Sequence, residues 1–245
     1  MTVQERHFTE LELTQLDQCN LPQHIAIIPD GNRRWATQHL ITNSDGHRKG
    51  GETVLEMINA AKELHVKAVT FYTFSTENWY RSKEEVDGLM HLITDYLDRH
   101  LNRMLRDGIG FHTIGDTTKL PQEVQDKIDE TKEATESLND IHFIMAINYG
   151  ARDEICRAIQ RLMQDVDLKT EVTPELFSKY LDTSPWGDPQ LFIRTGGEQR
   201  LSNFLLWQIS YAELYIDHKL WPDFTPSDLL KAILWYQQRQ RRHGK

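Results

Sequence analysis

Short apolar runs alternate with amphipathic stretches along almost the whole chain. Six runs predict strands, at residues 24–29, 67–75, 109–115, 141–148, 190–195 and 213–217. Several are continuous rather than alternating, the clearest being Ala68-Val69-Thr70-Phe71-Tyr72-Thr73-Phe74. That pattern suits strands buried on both faces of a mainly parallel sheet. Between them, helical spacing predicts helices over 50–65, 82–105, about 121–138, 151–166, and from Thr225 towards the basic end at Lys245. Ser82 followed by Glu85 reads as a capping box, and Thr225 before Pro226 fits helix-start chemistry.

This order predicts an α/β fold: an open, mainly parallel six-stranded sheet flanked by helices. Residues 1–20 are polar and acid-rich and read as an extension, leaving 21–245 as one domain. In open α/β sheets ligands bind beyond the carboxyl ends of the strands. Four strand ends here deliver polar and cationic groups: Asp30-Gly31-Asn32-Arg33-Arg34, Ser75-Thr76-Glu77-Asn78-Trp79 with Arg81, Asn148-Tyr149-Gly150-Ala151-Arg152, and Arg194 with Arg200 and Ser202. At the first junction a carboxylate, free backbone amides and guanidinium groups meet. A diphosphate carrying Mg²⁺ needs these same groups.

The totals narrow the reading. With 245 residues, 39% hydrophobic and 27% charged, the chain is long enough for a sizeable core. A net charge of −9 argues against a general nucleic-acid binder, but leaves room for a local arginine-lined pocket. Cys19 and Cys156 are far apart and lack metal-ligand spacing, which suits a reduced, cytoplasmic protein. No apolar run approaches the roughly 20 residues that span a bilayer, so any membrane contact is expected to be peripheral.

Taken together, Asp30-Gly31-Asn32, Gly46-His47-Arg48-Lys49-Gly50, Phe74-Ser75-Thr76-Glu77-Asn78-Trp79, Ile193-Arg194-Thr195-Gly196-Gly197-Glu198, Ser202 to Gln208, Tyr211-Ala212-Glu213-Leu214-Tyr215 and Trp221-Pro222-Asp223-Phe224 carry a resemblance. In this order and spacing the chain resembles the cis-prenyltransferases, the family containing undecaprenyl diphosphate synthase, from about His24 to Gly244. The resemblance implies condensation of isopentenyl diphosphate with an allylic diphosphate, farnesyl or similar, to form a cis-polyprenyl diphosphate, a carrier-lipid precursor. It implies Mg²⁺ as cofactor, an apolar product tunnel and a homodimer whose interface lies near the last third of the chain, with peripheral membrane contact through the lipid product.

The implied roles fall residue by residue. Asp30 would hold the metal, with Glu213 near the metal or the phosphates, across a subunit contact; the plain alternatives are a helix cap and a satisfied acid. Gly31, Asn32, Arg34 and Arg81 would bind the allylic diphosphate, and Arg194, Arg200 and Ser202 that of isopentenyl diphosphate. His47 and Asn78 would handle the diphosphate or the proton. Arg33, Trp35, Ser75, Glu77 and Trp79 complete the expected substrate contacts, although Trp79 serves equally well as a loop brace. Thr73, Met57, Leu89, Ile93 and Ile141 are the expected tunnel residues. Arg242-His243-Gly244 resembles the family's terminal Arg-X-Gly, which reaches an active site.

Four positions depart from the family pattern. Pro29 stands for Met, Arg33 for Gly, Asn43 for an allylic-site arginine, and Gln190 for an aspartate. Arg33 adds a cation but is expected to restrict the turn that Gly would permit; it is also expected to compensate for Asn43. These departures keep a second reading open, a short-chain or non-standard synthase on the same fold. A third reading, a non-catalytic partner subunit, calls for loss of Asp30 or of the isopentenyl-site groups, all of which are present.

Overall fold

The computed structural model describes residues 6–167 and 169–239. The strands are β1 (His24–Ile28), β2 (Ala68–Ser75), β3 (Ile109–Ile114), β4 (Ile141–Tyr149), β5 (Leu191–Arg194) and β6 (Glu213–Ile216). They form one six-stranded sheet in the order β3-β4-β2-β1-β5-β6, every neighbouring pair parallel. β1 ends at Ile28 because Pro29 has no N–H to continue the ladder.

The helices are α1 (Glu10–Leu13), α2 (Asn32–Gln38), α3 (Asn43–Glu63), α4 (Lys83–Asp107), α5 (Gln122–Thr135), α6 (Ala151–Asp165), α7 (Pro174–Ser178) and α8 (Pro226–Gln237). Two differ from the periodic reading. α3 begins at Asn43 rather than Gly50, because the Thr42 hydroxyl caps it by accepting from the Asp45 N–H at 3.2 Å, ahead of the apolar stripe. α2 has no apolar stripe at all; only Ala36 is buried. Arg241, Arg242, His243 and Gly244 lie outside the described residues.

Alternation along each strand feeds two cores. Ile25 and Ile27 join the larger one, under α3, α4, α5 and α8. Ala26 and Ile28 face the other, with Phe192, Phe204 and Leu205. The polar start of the chain docks on the larger core: Phe8 and Leu16 are buried there, and the backbone N–H groups of His7 and Phe8 donate to Glu63. Gln237 of α8 holds the same segment, accepting from the Asp17 N–H and donating to the Asp17 and Asn20 carbonyls.

Candidate active site

The carboxyl edge of the sheet is built around Asp30. Its backbone carbonyl accepts from Thr195 Oγ1 at 2.8 Å and from the Trp221 N–H at 3.0 Å, which fixes the residue between β1, β5 and the segment before α8. Its side chain lies between two arginines. Oδ2 accepts from Arg194 Nη2 at 2.8 Å, and Oδ1 from Arg34 Nη2 at 3.2 Å. Arg194 is almost wholly buried and also donates to Ser202 Oγ at 2.9 Å and to the Arg200 carbonyl. Arg34 donates further to the Gly196 carbonyl at 2.7 Å.

Gly31 makes this turn feasible. Its φ of 116° is a left-handed conformation, and a Cβ there would meet Leu220 at 2.9 Å. Helix α2 starts directly after it, so Arg33 sits in its first turn with no positive φ. The restriction expected from Arg33 is therefore absent: the special backbone angle belongs to Gly31 alone. Gly46 and Gly50 of α3 let Asn32 approach closely, since a Cβ at either would clash with it.

A second ion cluster stands nearby. Glu85 Oε1 accepts from Arg81 Nη1 at 2.9 Å and lies 3.6 Å from Arg33 Nη1. His47 is close to all three. Burial, with Arg81 and to a smaller extent Arg33, lowers its pKa to about 4 against the opposing pull of Glu85, so it is neutral near pH 7.

Both clusters open on one cavity of about 440 Å³. Its lining includes Asp30 with Arg33, Arg34, Arg81, Arg194 and Arg200, and also the apolar or aromatic Leu89, Leu92, Ile93, Tyr96, Phe143 and Met145. Asn32 Oδ1, His47 Nε2 and Arg194 Nε are buried without a hydrogen-bond partner among the described residues, and all three residues line this cavity. Unsatisfied buried polar groups are uncommon in folded proteins, so their gathering here marks a ligand site.

Most of the expected site residues meet here: Asp30, Gly31, Asn32, Arg33, Arg34, His47, Ser75, Asn78, Arg81, Arg194, Arg200 and Ser202 all line the cavity. Four do not. Trp35 Nε1 donates to Asp223 at 2.8 Å and its ring stacks on His39 at 3.9 Å. Glu77 accepts from Asn203 at 3.0 Å. Trp79 braces the loop, donating to Asn148 Oδ1 at 2.7 Å and packing on Phe74 at 5.1 Å. Glu213 opens β6 opposite Leu191, about 10 Å of strand before the Arg194 level, and accepts from Arg239 Nε at 3.2 Å. Thr73, Leu89 and Ile93 line the cavity, whereas Met57 and Ile141 are wholly buried in the larger core.

Sequence reasoning missed Glu85, because its spacing from Ser82 already had a local explanation. It also missed Thr195, whose hydroxyl fixes the Asp30 backbone; its place at the end of a predicted strand was the available signal.

The fit to a divalent cation rests on Asp30. No group of three or more His, Cys, Asp and Glu side chains gathers into a cation cage among the described residues. Mg²⁺ is commonly bound by one or two carboxylates plus substrate phosphates and water, and a lone carboxylate between diphosphate-binding arginines suits that mode.

An all-parallel α/β sheet whose carboxyl edge opens on one cavity, lined by both arginines and apolar side chains, suits an amphiphilic anion. The comparisons give the family. Residues 28–244 match the prenyltransferase family model, whose description reads "Putative undecaprenyl diphosphate synthase". An isoprenyl transferase of Chlamydia trachomatis serovar D is 48% identical, over 92% of each chain. Lavandulyl diphosphate synthase from Lavandula x intermedia, solved in complex with dimethylallyl diphosphate, superposes with a TM-score of 0.89 at 36% identity, covering 94% of this chain and 100% of that one. A probable undecaprenyl diphosphate synthase from Campylobacter jejuni gives 0.80 at 34%, covering 92% and 100%. The chain belongs to the undecaprenyl diphosphate synthase family and is a prenyl transferase. No helix among the described residues is long and apolar enough to cross a membrane.

Proposed function

We propose that the protein condenses isopentenyl diphosphate with an allylic diphosphate, farnesyl or similar, to form a cis-polyprenyl diphosphate that serves as a carrier-lipid precursor. The observation that carries this reading is one cavity lined both by several arginines and by apolar side chains. Arg34 and Arg81, with the Gly31 and Asn32 turn, bind the allylic diphosphate. Arg194, Arg200 and Ser202 bind that of isopentenyl diphosphate. Asp30, between the two sets, holds Mg²⁺, which when bound neutralises diphosphate charge.

In the reaction the allylic C–O bond breaks and the bonding pair leaves with the diphosphate. The double bond of isopentenyl diphosphate attacks the allylic carbon, and a proton is lost from the resulting cation. The arginines stabilise the departing diphosphate. His47 is neutral near pH 7, so it and Asn78 hold or relay the proton and the diphosphate through uncharged groups. The growing chain lies along Leu89, Ile93 and Phe143, which form the wall of a product tunnel. The exposed Tyr211 and Leu214 about the edge strand β6 support a homodimer. In it Glu213 would act across the contact, since within its own chain it lies at the opposite sheet edge. Any membrane contact is peripheral, through the lipid product.

A short-chain product is the second reading, supported by the similarity to lavandulyl diphosphate synthase. Purified protein with Mg²⁺, labelled isopentenyl diphosphate and allylic primers of graded length tests both. Long extractable products are expected from a farnesyl-length primer. Products ending after one or two additions would favour the second reading, and no extractable label with any primer would refute the enzymatic proposal.

A further inference from the structure

By its spacing from Ser82, Glu85 should complete a capping box at the start of α4. Only half of that box forms. The Glu85 N–H donates to Ser82 Oγ at 3.3 Å, but the carboxylate turns away from the Ser82 backbone. One carboxylate oxygen instead accepts from Arg81 at 2.9 Å and faces Arg33 at 3.6 Å. The two arginines come from different elements, Arg33 from the first turn of α2 and Arg81 from the turn preceding α4. Both line the cavity, while Glu85 does not.

The electrostatics explain why an acid belongs there. Two guanidinium groups brought into one cavity repel each other, and long side chains have many solvent rotamers to escape into. Arg33 has the stronger tendency to leave, with 57% of its side chain exposed against 31% for Arg81. A shared carboxylate offsets the repulsion. It engages one Nη of each arginine, and the structure gives no hydrogen bond from the remaining N–H groups of either, among the described residues. Those donors are left for the oxygens of a bound anion.

We propose that Glu85 is a positioning residue for the allylic diphosphate, holding Arg33 and Arg81 together at one end of the cavity. The proposal rests on the reading of that cavity as a diphosphate site. It makes Glu85 a partner of the arginines and not a contact of the substrate. Removing it should weaken binding of the allylic substrate only, and most strongly while Arg33 is present to be held beside Arg81.

A double-mutant cycle on Glu85→Gln and Arg33→Met tests this, with separate KM values for the two substrates and a thermal midpoint for each variant. Glu85→Gln is expected to raise the allylic KM about tenfold, the loss of one charge-assisted contact. The isopentenyl KM should stay within about twofold. In the Arg33→Met background the same change should cost less than about threefold, because coupled residues are not additive. Equal effects in both backgrounds, equal effects on both substrates, or a lower allylic KM (the result of removing a competing anion) would each overturn the proposal. Calorimetric binding of inorganic diphosphate to the same four proteins decides the matter independently of turnover. A wild type that forms no product would sink the functional reading, while the diphosphate titration would still judge Glu85.

Discussion

Two carboxylates each hold a pair of the arginines that line this cavity, in different surroundings. Asp30 joins Arg34 and Arg194, and Glu85 joins Arg33 and Arg81. The Asp30 group rests mainly on strand ends: Asp30 follows β1 and Arg194 ends β5, only Arg34 comes from α2, and backbone carbonyls accept from both of its arginines. The Glu85 group is built on helix starts, and the structure gives its arginines no backbone acceptor among the described residues. The first is therefore preorganised by the sheet, and the second only by one carboxylate. Under the proposed function, Arg194 in the rigid group would meet the same isopentenyl diphosphate in every cycle, whereas Arg81 in the adjustable group would meet an allylic chain that changes length.

The largest expected effect comes from breaking the rigid group. Asp30→Asn removes the proposed metal carboxylate and one partner of the buried Arg194 together. Loss of such charge stabilisation amounts to several kcal/mol, so kcat/KM should fall about 10²–10⁴-fold, against about tenfold for Glu85→Gln. Steady-state kinetics at saturating Mg²⁺ measure both. If the two variants lose activity equally, the distinction between a rigid and an adjustable group is wrong.

The second effect concerns His47, which lies beside the Glu85 group. An unfolded chain takes up this proton near the ordinary 6.5, and the folded protein only near 4. Between those values the unfolded state binds more protons, so stability is lost as pH falls from about 6.5 to 4. The loss from His47 alone is up to about 3 kcal/mol. Urea unfolding of wild type and His47→Gln across that range should give a steeper pH slope for the wild type. Matching slopes, or an imidazole resonance titrating near 6.5, would contradict this environment.

Much of this geometry was readable in the chain, for identifiable reasons. Continuous β-branched and aromatic runs disclosed the strands, and a parallel sheet sends every strand end to one edge, so Asp30, Arg81 and Arg194 could be gathered without coordinates. The direction of the strands also separates Glu213 from this site. Glu213 is the first residue of its strand and thus belongs to the opposite edge. Helix α2 was invisible because seven mostly polar residues carry no period, and with it went the orientation of Trp35. Glu85 was hidden because local spacing gave it a cap role, whereas its carboxylate turns to Arg81, four residues earlier, and to Arg33 of α2.

The smallest effect asks whether the adjustable group can be rebuilt differently. Asn43, expected from the resemblance to replace an allylic-site arginine, lies one helical turn before His47 and so on its side of α3. It is exposed, and Thr42 rather than Asn43 caps the helix, so a long side chain can replace it without disturbing the fold. Arg33→Met should raise the allylic KM about tenfold, the equivalent of one lost charge-assisted contact. Adding Asn43→Arg to that variant should recover most of the loss, whereas Asn43→Arg alone, with Arg33 in place, should change the KM less than about threefold. No recovery would mean that Arg33 does not substitute for the missing arginine, and that the two positions serve different oxygens or different steps.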